Sequence, residues 1–320
     1  MKVLLIRFSS IGDIVLTTPV IRCLKQQLDC ELHYLTKQSY ASILAPNPYV
    51  DRVWTIAKRV GEVKAQLQAE GFDYVIDLHN NIRSRQIKWA LQAKSYTFNK
   101  INWHKWLMVN FKINRLPEVH IVDRYLEPAI QLGIENDGKG LDYFIPEEQE
   151  VEVQAQFQIK GNYIAFVIGA AHATKRLPIP KIIAICQQIQ LPILLLGGPA
   201  EAEEGKHIAK QAGKHVTNTC GLLKLHQSAS VVRQAYKVIT HDTGMMHIAA
   251  AFQKEILSVW GNTIPEFGMY PYYGSQKDRN TTFEVNNLSC RPCSKIGHET
   301  CPKGHFECME LQDTGALARL

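Results

Sequence analysis

The strongest constraint on the fold is an alternation of short apolar runs with helix-forming stretches, which occurs once in each half of the chain. The apolar runs lie at residues 2–8, 31–36, 52–56 and 74–78 in the first half, and at 163–168, 192–196, 236–239 and 256–260 in the second. Alternation of this kind predicts parallel strands with helices on both faces of the sheet. We therefore predict two doubly wound α/β domains, residues 1–155 and 156–320, a division that suits a chain of 320 residues.

Loops rich in small and polar residues directly follow several of the predicted strands. They lie at residues 9–13, 169–176, 197–201 and 241–244. In open α/β sheets, ligands bind beyond the carboxyl ends of the strands. Because all four loops follow strand ends, we expect them to carry the binding and catalytic residues.

Residues 240–252 read as the end of a buried strand, a tight turn and an alanine-rich helix. Asp242 and Thr243 are able to cap that helix, and its first N–H groups and dipole favour an anion such as a diphosphate. Gly244 lets a ligand approach the backbone closely, and His247 lies one helical turn beyond Thr243. The alternative interpretation is an ordinary capped helix with a buried histidine.

Asp13 follows the first strand in a small loop that a substrate can approach. A carboxylate there can accept a proton from a sugar hydroxyl as a general base. The alternative, which the spacing alone favours, is that Asp13 only caps the next helix.

Two further strand-end loops carry charged residues. Lys175 and Arg176 are placed to neutralise the charge of a departing diphosphate, although surface lysines are common. Glu201 follows Gly-Gly-Pro after a strand and can bind ribose hydroxyls, or it can simply favour the dipole of the helix that follows.

Several classes of protein are disfavoured because their sequence motifs do not occur in the chain. No Walker-type phosphate loop, no G-x-G-x-x-G after the first strand and no G-x-S-x-G elbow occur in the chain. The chain contains no run of about 18 apolar residues, so we predict no membrane-spanning helix. Arg7 interrupts the first apolar run, which therefore predicts a core strand rather than a signal peptide and, with scattered reduced cysteines, a cytoplasmic protein.

Charge is unevenly distributed although the net value is only +6. Residues 78–117 hold eight lysines and arginines and no acidic residue, with Trp103, Trp106 and Phe111 among them. This span favours an anionic partner, namely a phosphorylated glycolipid, a membrane surface or a nucleic acid. The alternative is a solvated basic face over a few core aromatics.

Half of the eight cysteines are clustered near the C-terminus, with two histidines between them. They are Cys290, Cys293, Cys301 and Cys308. Four thiols in this span suit a structural zinc, but the spacing matches no common zinc finger. Free or disulfide-paired thiols that close the C-terminal loop are the alternative.

Four motifs together resemble one family. Residues 7–19 and 242–251 are similar to the opening and to the donor signature of the ADP-heptose:lipopolysaccharide heptosyltransferases, glycosyltransferase family 9. Residues 173–178 look like its Lys-Arg-Trp-Pro element, with Leu177 in place of tryptophan, and residues 77–84 resemble its acceptor-side loop. The resemblance implies a GT-B fold, in which two Rossmann-like domains face a cleft and the last helix often returns to the first domain.

The resemblance also implies roles for individual residues in an inverting transfer of heptose from ADP-heptose. Asp13 would be the base and Lys175 would help the diphosphate leave. The implied donor-binding residues are Thr174, Lys175, Glu201, Asp242, Thr243, Gly244 and His247. Arg83 and Arg124 would face a phosphorylated, lipid A-linked acceptor of the lipopolysaccharide core. Catalysis would need no metal or cofactor, and the protein would contact the inner membrane peripherally and bind no nucleic acid.

Two other functions are consistent with parts of the sequence. One is a GT-B transferase that uses another nucleotide sugar or acceptor, because no residue reads adenine by itself. The other is a non-catalytic protein that binds nucleic acid or membrane through the basic span. Strongly salt-dependent binding without any effect of nucleotide sugars would identify it.

Overall fold

The structure is a computed structural model that describes residues 1–319. The contacts divide the chain into two compact units. Unit 1 comprises residues 1–101, 119–144 and 272–276, and unit 2 comprises residues 102–118, 145–271 and 277–320. This division differs from a single boundary at residue 155, because residues 102–118 group with the second unit and residues 272–276 with the first.

Unit 1 is built on a five-stranded parallel sheet with the order β3-β2-β1-β4-β5. Its strands are β1 (Lys2–Ile6), β2 (Glu31–Lys37), β3 (Arg52–Ile56), β4 (Tyr74–Asp77) and β5 (Lys94–Thr97). Its helices are α1 (Ile11–Val15), α2 (Thr18–Gln27), α3 (Ala41–Leu44), α4 (Lys64–Glu70), α5 (Ile82–Leu91) and α7 (Ile121–Ile130). The order reverses between β1 and β4, as in a doubly wound fold.

Unit 2 is built on a six-stranded parallel sheet with the order β11-β10-β9-β6-β7-β8. Its strands are β6 (Ile164–Val167), β7 (Ile193–Leu196), β8 (Val216–Asn218), β9 (Lys237–His241), β10 (Glu255–Trp260) and β11 (Asn280–Glu284). Its helices are α6 (Asn102–Phe111), α8 (Val153–Phe157), α9 (Ile179–Gln188), α10 (Ala202–Ala212), α11 (Leu225–Gln234), α12 (Gly244–Ala251), α13 (Glu307–Glu310) and α14 (Thr314–Ala318). Here the order reverses between β6 and β9.

Each unit has a core of its own between sheet and helices. The central strands are buried along nearly their whole length, for example β6 and β7, which are fully apolar. Such continuous apolar runs are expected where helices cover both faces of a parallel sheet. These cores confirm the predicted α/β class with two Rossmann-like sheets, because both sheets are parallel and doubly wound.

Several local predictions need correction. Strands β5, β8 and β11 were not predicted, and each lies at the edge of its sheet, where polar residues weaken the hydrophobic signal. Tyr236 is 45% exposed and precedes β9 instead of lying buried within it. The last helix, α14, packs on α9 in unit 2, and residues 272–276 return to unit 1 in its place.

None of the helices within residues 1–319 has the length and apolarity that crossing a bilayer requires.

Candidate active site

In unit 2, two loops bring the predicted donor residues together. β6 and β9 are neighbouring parallel strands at the point where the strand order reverses. Lys175 lies on the loop after β6, and Asp242 directly follows β9. A reversal of this kind leaves a crevice at the carboxyl ends of the strands, where ligands bind in doubly wound folds.

An ion pair with Asp242 fixes the ammonium group of Lys175 in this crevice. Lys175 Nζ lies 2.5 Å from Asp242 Oδ2 and 3.3 Å from the Asp242 carbonyl oxygen. The Thr263 hydroxyl donates to the same Oδ2 at 2.9 Å. The side chains of Lys175 and Asp242 keep 15% and 11% of their surface exposed. Because the ammonium is anchored yet reachable, a diphosphate can compete with Asp242 for it.

Helix α12 begins directly beyond Asp242, with its first N–H groups uncapped by a side chain. Thr243 is the N-cap residue, but it makes no side-chain capping bond, and its Oγ1 lies 3.4 Å from Thr240 Oγ1 instead. Thr243 therefore occupies the N-cap position as predicted, but its side chain does not cap the helix, and Asp242 Oδ2 is engaged by Lys175 and Thr263. Thr243 and Gly244 are half-buried rather than sealed in the core. An accessible helix start of this kind suits an anion.

His247 lies further along α12 and is only 2% exposed. A ring this buried can reach a phosphate only after the groups that cover it move. Its predicted contact with the donor phosphates therefore stays a prediction, and the buried histidine of the alternative interpretation is what the structure contains.

His241, the last residue of β9, holds the loop that carries Lys175. Its Nε2 accepts the Leu177 backbone N–H at 3.0 Å. Burial, and then the nearby charge of Arg176, lowers the pKa of His241 to about 3. The ring is therefore neutral at physiological pH and acts as a hydrogen-bond acceptor within the fold.

Thr174 is buried, and its hydroxyl is bound to the backbone of His298. It donates to the His298 carbonyl oxygen at 3.0 Å and accepts the His298 N–H at 2.8 Å. These bonds join the loop before Lys175 to the C-terminal segment. Direct contact of Thr174 with the donor stays a prediction, and in this geometry the residue positions Lys175.

Glu201 lies against the ends of β6 and β7. A Cβ on Gly197 would lie 2.9 Å from the Cβ of Glu201, so a larger residue there would displace Glu201, and a Cβ on Gly169 would lie 3.0 Å from Glu201 Oε2. Its Oε2 accepts the Gly198 N–H at 2.8 Å, and Arg176 Nη1 lies 3.5 Å from Oε1. The carboxylate thus serves the local helix start, and its predicted contact with a ribose stays a prediction.

The C-terminal segment supports the loop that carries Thr263. Arg291 donates to the carbonyl oxygens of Thr263 at 3.0 Å and Gly261 at 2.5 Å, and its Nη2 also lies 2.6 Å from Glu284 Oε2. Because Thr263 in turn binds Asp242, the guanidinium acts on the ion pair through one intermediate residue. Arg291 is therefore a positioning residue of this site.

The four C-terminal cysteines are free thiols in the structure, which favours that alternative over disulfides. Burial, and then the neighbouring thiols, raises the pKa of Cys293. Within residues 1–319, one group of three or more metal-ligating atoms lies mutually within 4.8 Å, and it is Glu31, His33 and Glu70. The thiols have the right chemistry for zinc but are not gathered into a ligand set. A zinc here stays a prediction, which metal analysis of protein purified without chelator tests.

In unit 1, Asp13 lies in helix α1 and not in the loop before it. Its Oδ2 accepts the Ser10 N–H at 3.0 Å and the Ser10 hydroxyl at 2.8 Å. Its Oδ1 lies 2.6 Å from Arg7 Nη2, and 19% of the side chain is exposed. Asp13 therefore caps its own helix with one oxygen and holds an ion pair with the other.

The surroundings of Asp13 keep it ionised. Burial by itself raises the pKa of this carboxyl, but the charge of Arg7 and the hydrogen bonds from Ser10 outweigh it, and the net pKa is lowered. Arg7 also donates to the carbonyl oxygens of Ser9 and Leu78, which joins the ends of β1 and β4. The site thus presents a carboxylate that is deprotonated at neutral pH, as a general base must be.

Two aromatic residues lie beside this carboxylate. The Tyr125 hydroxyl donates to Asp13 Oδ1 at 3.5 Å. The half-buried ring of His79 packs edge-on against Phe8 with 5.1 Å between centroids. Burial, and then the charge of Arg7, lowers the pKa of His79 to about 4, so its ring is neutral beside Asp13 at neutral pH.

The two predicted acceptor arginines differ in accessibility. Arg83 is exposed in the first turn of α5. Arg124 is 2% exposed within α7, and burial lowers its pKa. The open placement that an acceptor phosphate needs is therefore present at Arg83 and absent at Arg124, and both acceptor roles stay predictions.

Sequence reasoning did not select several residues that build these sites. Arg7, Thr263 and Arg291 each bind a predicted site residue or its support. Arg7 stands in the motif at residues 7–19 and could have been found there. Thr263 and Arg291 follow no recognisable signal, because only folding brings them to Asp242.

Comparisons with known proteins identify the family. The model of a family described as "Glycosyltransferase family 9 (heptosyltransferase)" matches residues 60–303. Lipopolysaccharide heptosyltransferase 1 of Escherichia coli (strain K12) is 25% identical over 303 residues, which cover 87% of this chain and 92% of that protein.

Solved structures share the fold. A glycosyl transferase of family 9 from Veillonella parvula has a TM-score of 0.73 and 22% identity, covering 88% of this chain and 85% of its own. An E. coli heptosyltransferase solved with ADP has a TM-score of 0.67 and 22% identity, and the match covers 88% of this chain and 92% of that chain.

Proposed function

This chain belongs to glycosyltransferase family 9, the heptosyltransferase family, and we propose that it moves heptose from ADP-heptose to a phosphorylated, lipid A-linked acceptor of the lipopolysaccharide core. The proposal draws on the relative named a lipopolysaccharide heptosyltransferase and on the neighbour solved with ADP. The observation that carries it is the anchored Lys175–Asp242 pair beside the uncapped start of α12.

The proposed reaction is a single displacement with inversion. The acceptor hydroxyl oxygen forms a bond to the anomeric carbon, its proton passes to Asp13, and the bond from that carbon to the ADP oxygen breaks. Asp13 can take this role because it is ionised at neutral pH and part of its side chain is exposed, although its lowered pKa makes it a weaker base than a free aspartate. Inversion requires the base and the leaving group on opposite sides of the sugar.

Charge on the departing ADP is stabilised by unit 2. The ammonium of Lys175 exchanges Asp242 for the diphosphate, and the first N–H groups of α12 bind the same anion. Asp242 positions Lys175 before the donor arrives and then is free to bind heptose hydroxyls. Glu201 is assigned to the ribose. These groups provide the neutralisation that the proposal needs, without a step through a metal.

A panel of nucleotide sugars tests the donor. Thermal unfolding is followed with ADP-heptose, ADP, UDP-sugars and GDP-sugars at equal concentration, because a ligand of the folded state raises the midpoint more the more tightly it binds. The expected result is a shift with ADP-heptose and ADP that exceeds the others. A larger shift with a UDP- or GDP-sugar would replace the donor and favour the alternative GT-B transferase.

A further inference from the structure

Helix α6 carries a continuous row of exposed aromatic rings. Trp103, Trp106 and Phe111 are 64%, 45% and 58% exposed. The rings of Trp103 and Trp106 stack with 5.0 Å between centroids, and Phe111 meets Trp106 edge-on at 5.2 Å. The interpretation of these residues as core aromatics is therefore wrong, and the row is an apolar surface that the unit itself does not cover.

The rest of the helix is held against unit 2. Leu107, Met108 and Val109 are half-buried. Lys105 Nζ lies 5.7 Å from the centre of the Phe267 ring, and Lys112 Nζ donates to the Pro292 carbonyl oxygen at 2.6 Å. The aromatic row is thus presented by a fixed helix and not by a loose segment.

The helix that carries the aromatic row and the segment directly after it contain charges of one sign. Residues 102–117 contain Lys105, Lys112 and Arg115 and no acidic residue. Lys303 lies near enough for its charge to add, after burial, to the lowering of the pKa of Lys112. Exposed aromatic rings beside cations are the composition of a segment that lies in the headgroup region of an anionic membrane.

We propose that the aromatic row of α6 docks onto the anionic surface of a lipid bilayer, with the exposed cations Arg115 and Lys303 adding to its attraction for the headgroups. This inference rests on the proposed function, because a lipid-linked acceptor lies in a bilayer. A nucleic acid is disfavoured, since Trp103 and Trp106 already use one ring face on each other. A second copy of the chain would bring the same cations together across a two-fold contact.

Vesicle flotation of the full chain tests the surface. Wild-type protein should float with vesicles of phosphatidylcholine mixed with phosphatidylglycerol and stay behind with phosphatidylcholine alone. The variant Trp103→Ala/Trp106→Ala should lose at least about tenfold in affinity, because two amphipathic rings no longer enter the interface. The matched control Leu222→Ala/Tyr236→Ala, whose side chains are 72% and 45% exposed in the same unit, should float like wild type.

A charge variant tests the second half of the proposal. Arg115→Glu/Lys303→Glu should weaken binding at least about twenty-five-fold, since each cation near an anionic surface contributes about fivefold. Equal flotation of both variants and wild type would overturn the proposal. So would a change in sedimentation coefficient of the tryptophan variant without a change in flotation, because the row would then be a contact between copies.

The inference and the proposed function fail in different ways. Flotation needs no chemistry, so its loss says nothing of the donor. In a transfer assay, the tryptophan variant should keep the wild-type rate on a lipid-free acceptor and lose rate only on acceptor embedded in vesicles. An equal loss on both acceptors would contradict membrane docking, whereas no transfer by any protein would contradict the function alone.

Discussion

The two units place an ion pair at the same point of their sheets, and the proposed reaction gives the two pairs different roles. In each, an ion pair lies where the strand order reverses, Arg7 with Asp13 in unit 1 and Lys175 with Asp242 in unit 2. In unit 1 the anion is the more exposed partner, 19% against 10%. In unit 2 the cation is more exposed, 15% against 11%.

This difference shows how one fold supplies two roles. The less exposed partner of each pair is tied to the surrounding structure, Arg7 to Leu78 and Asp242 to Thr263. The proposed reaction uses the more exposed partner of each pair, Asp13 in unit 1 and Lys175 in unit 2, to meet the substrate. The proposed base and the proposed anion-binding cation thus lie at the same point of the strand order and differ in which charge is the more exposed. The following changes test that contrast in order of decreasing effect.

Removal of the unit 1 carboxylate should cost the most. Asp13→Asn keeps the shape of the side chain but cannot take a proton, so turnover should fall about 10³-fold. Initial rates of heptose transfer at saturating donor measure this. The control Asp73→Asn, on the surface of the same unit, should keep the wild-type rate, and a retained rate in Asp13→Asn would remove the base from unit 1.

Removal of the Lys175 charge in unit 2 should reduce turnover less than removal of the Asp13 carboxylate. Lys175→Met keeps the length of the side chain without its charge, and turnover should fall about 10²-fold because the departing diphosphate loses one of several stabilising groups. The same rate assay measures it, with the exposed Lys210→Met as control. A loss as large as that of Asp13→Asn would mean that the start of α12 contributes little.

A positioning residue should have a smaller effect still. Arg291→Gln frees the loop that holds Thr263, so turnover should fall roughly tenfold, below the 10²-fold that a 1 Å displacement can cost. If the role is positioning, kcat falls while KM for the acceptor stays unchanged, at a temperature well below the unfolding midpoint. Arg233→Gln, which breaks an ion pair with Glu150 elsewhere in unit 2, should keep kcat.

The last prediction concerns stability against acid and not turnover. The pKa of His241 is lowered from 6.5 to about 3 in the folded protein, so the unfolded chain binds a proton that the folded chain does not. This stability is present above pH 6.5 and is lost as pH falls towards 3, at up to about 1.4 kcal/mol per pH unit.

Chemical unfolding of His241→Gln from pH 7 to pH 4 measures this contribution. The variant should lose stability less steeply than wild type, because glutamine does not titrate, while the exposed His207→Gln should follow the wild-type slope. Identical slopes in His241→Gln and wild type would show that His241 does not set the acid sensitivity of unit 2.

The sequence predicts the centre of each sheet better than its edges. β1, β6 and β7 are continuous apolar runs, so periodicity finds them. β5 reads Lys-Ser-Tyr-Thr and is mostly exposed, so it has no such signal. Helix α1 has only five residues, which is too short for a helical period, and Asp13 was therefore placed in a loop.

The site shows the same limit. Asp242 directly follows β9, and Asp13 and Lys175 lie in the segments between β1 or β6 and the next long helix, so chain order predicts the end of the sheet at which they lie. The hydrogen-bond partners of the site residues cannot be predicted in this way, because Thr263 binds Asp242 from 21 residues away and His298 binds Thr174 from 124 residues away. No local pattern records such contacts. The burial of Arg124 was likewise not predictable, because a motif gives the residue type and not its exposure, whereas a buried His247 was one of the two interpretations that the motif left open.

The division of roles between the two ion pairs is tested most directly by donor binding to the two disabled variants. Calorimetric titration of ADP-heptose into Asp13→Asn and Lys175→Met separates binding from chemistry. We predict that Asp13→Asn binds the donor within about twofold of wild type and that Lys175→Met binds it at least about tenfold more weakly. Equal weakening in both variants, or unchanged binding in Lys175→Met, would contradict the assignment of base to unit 1 and donor to unit 2.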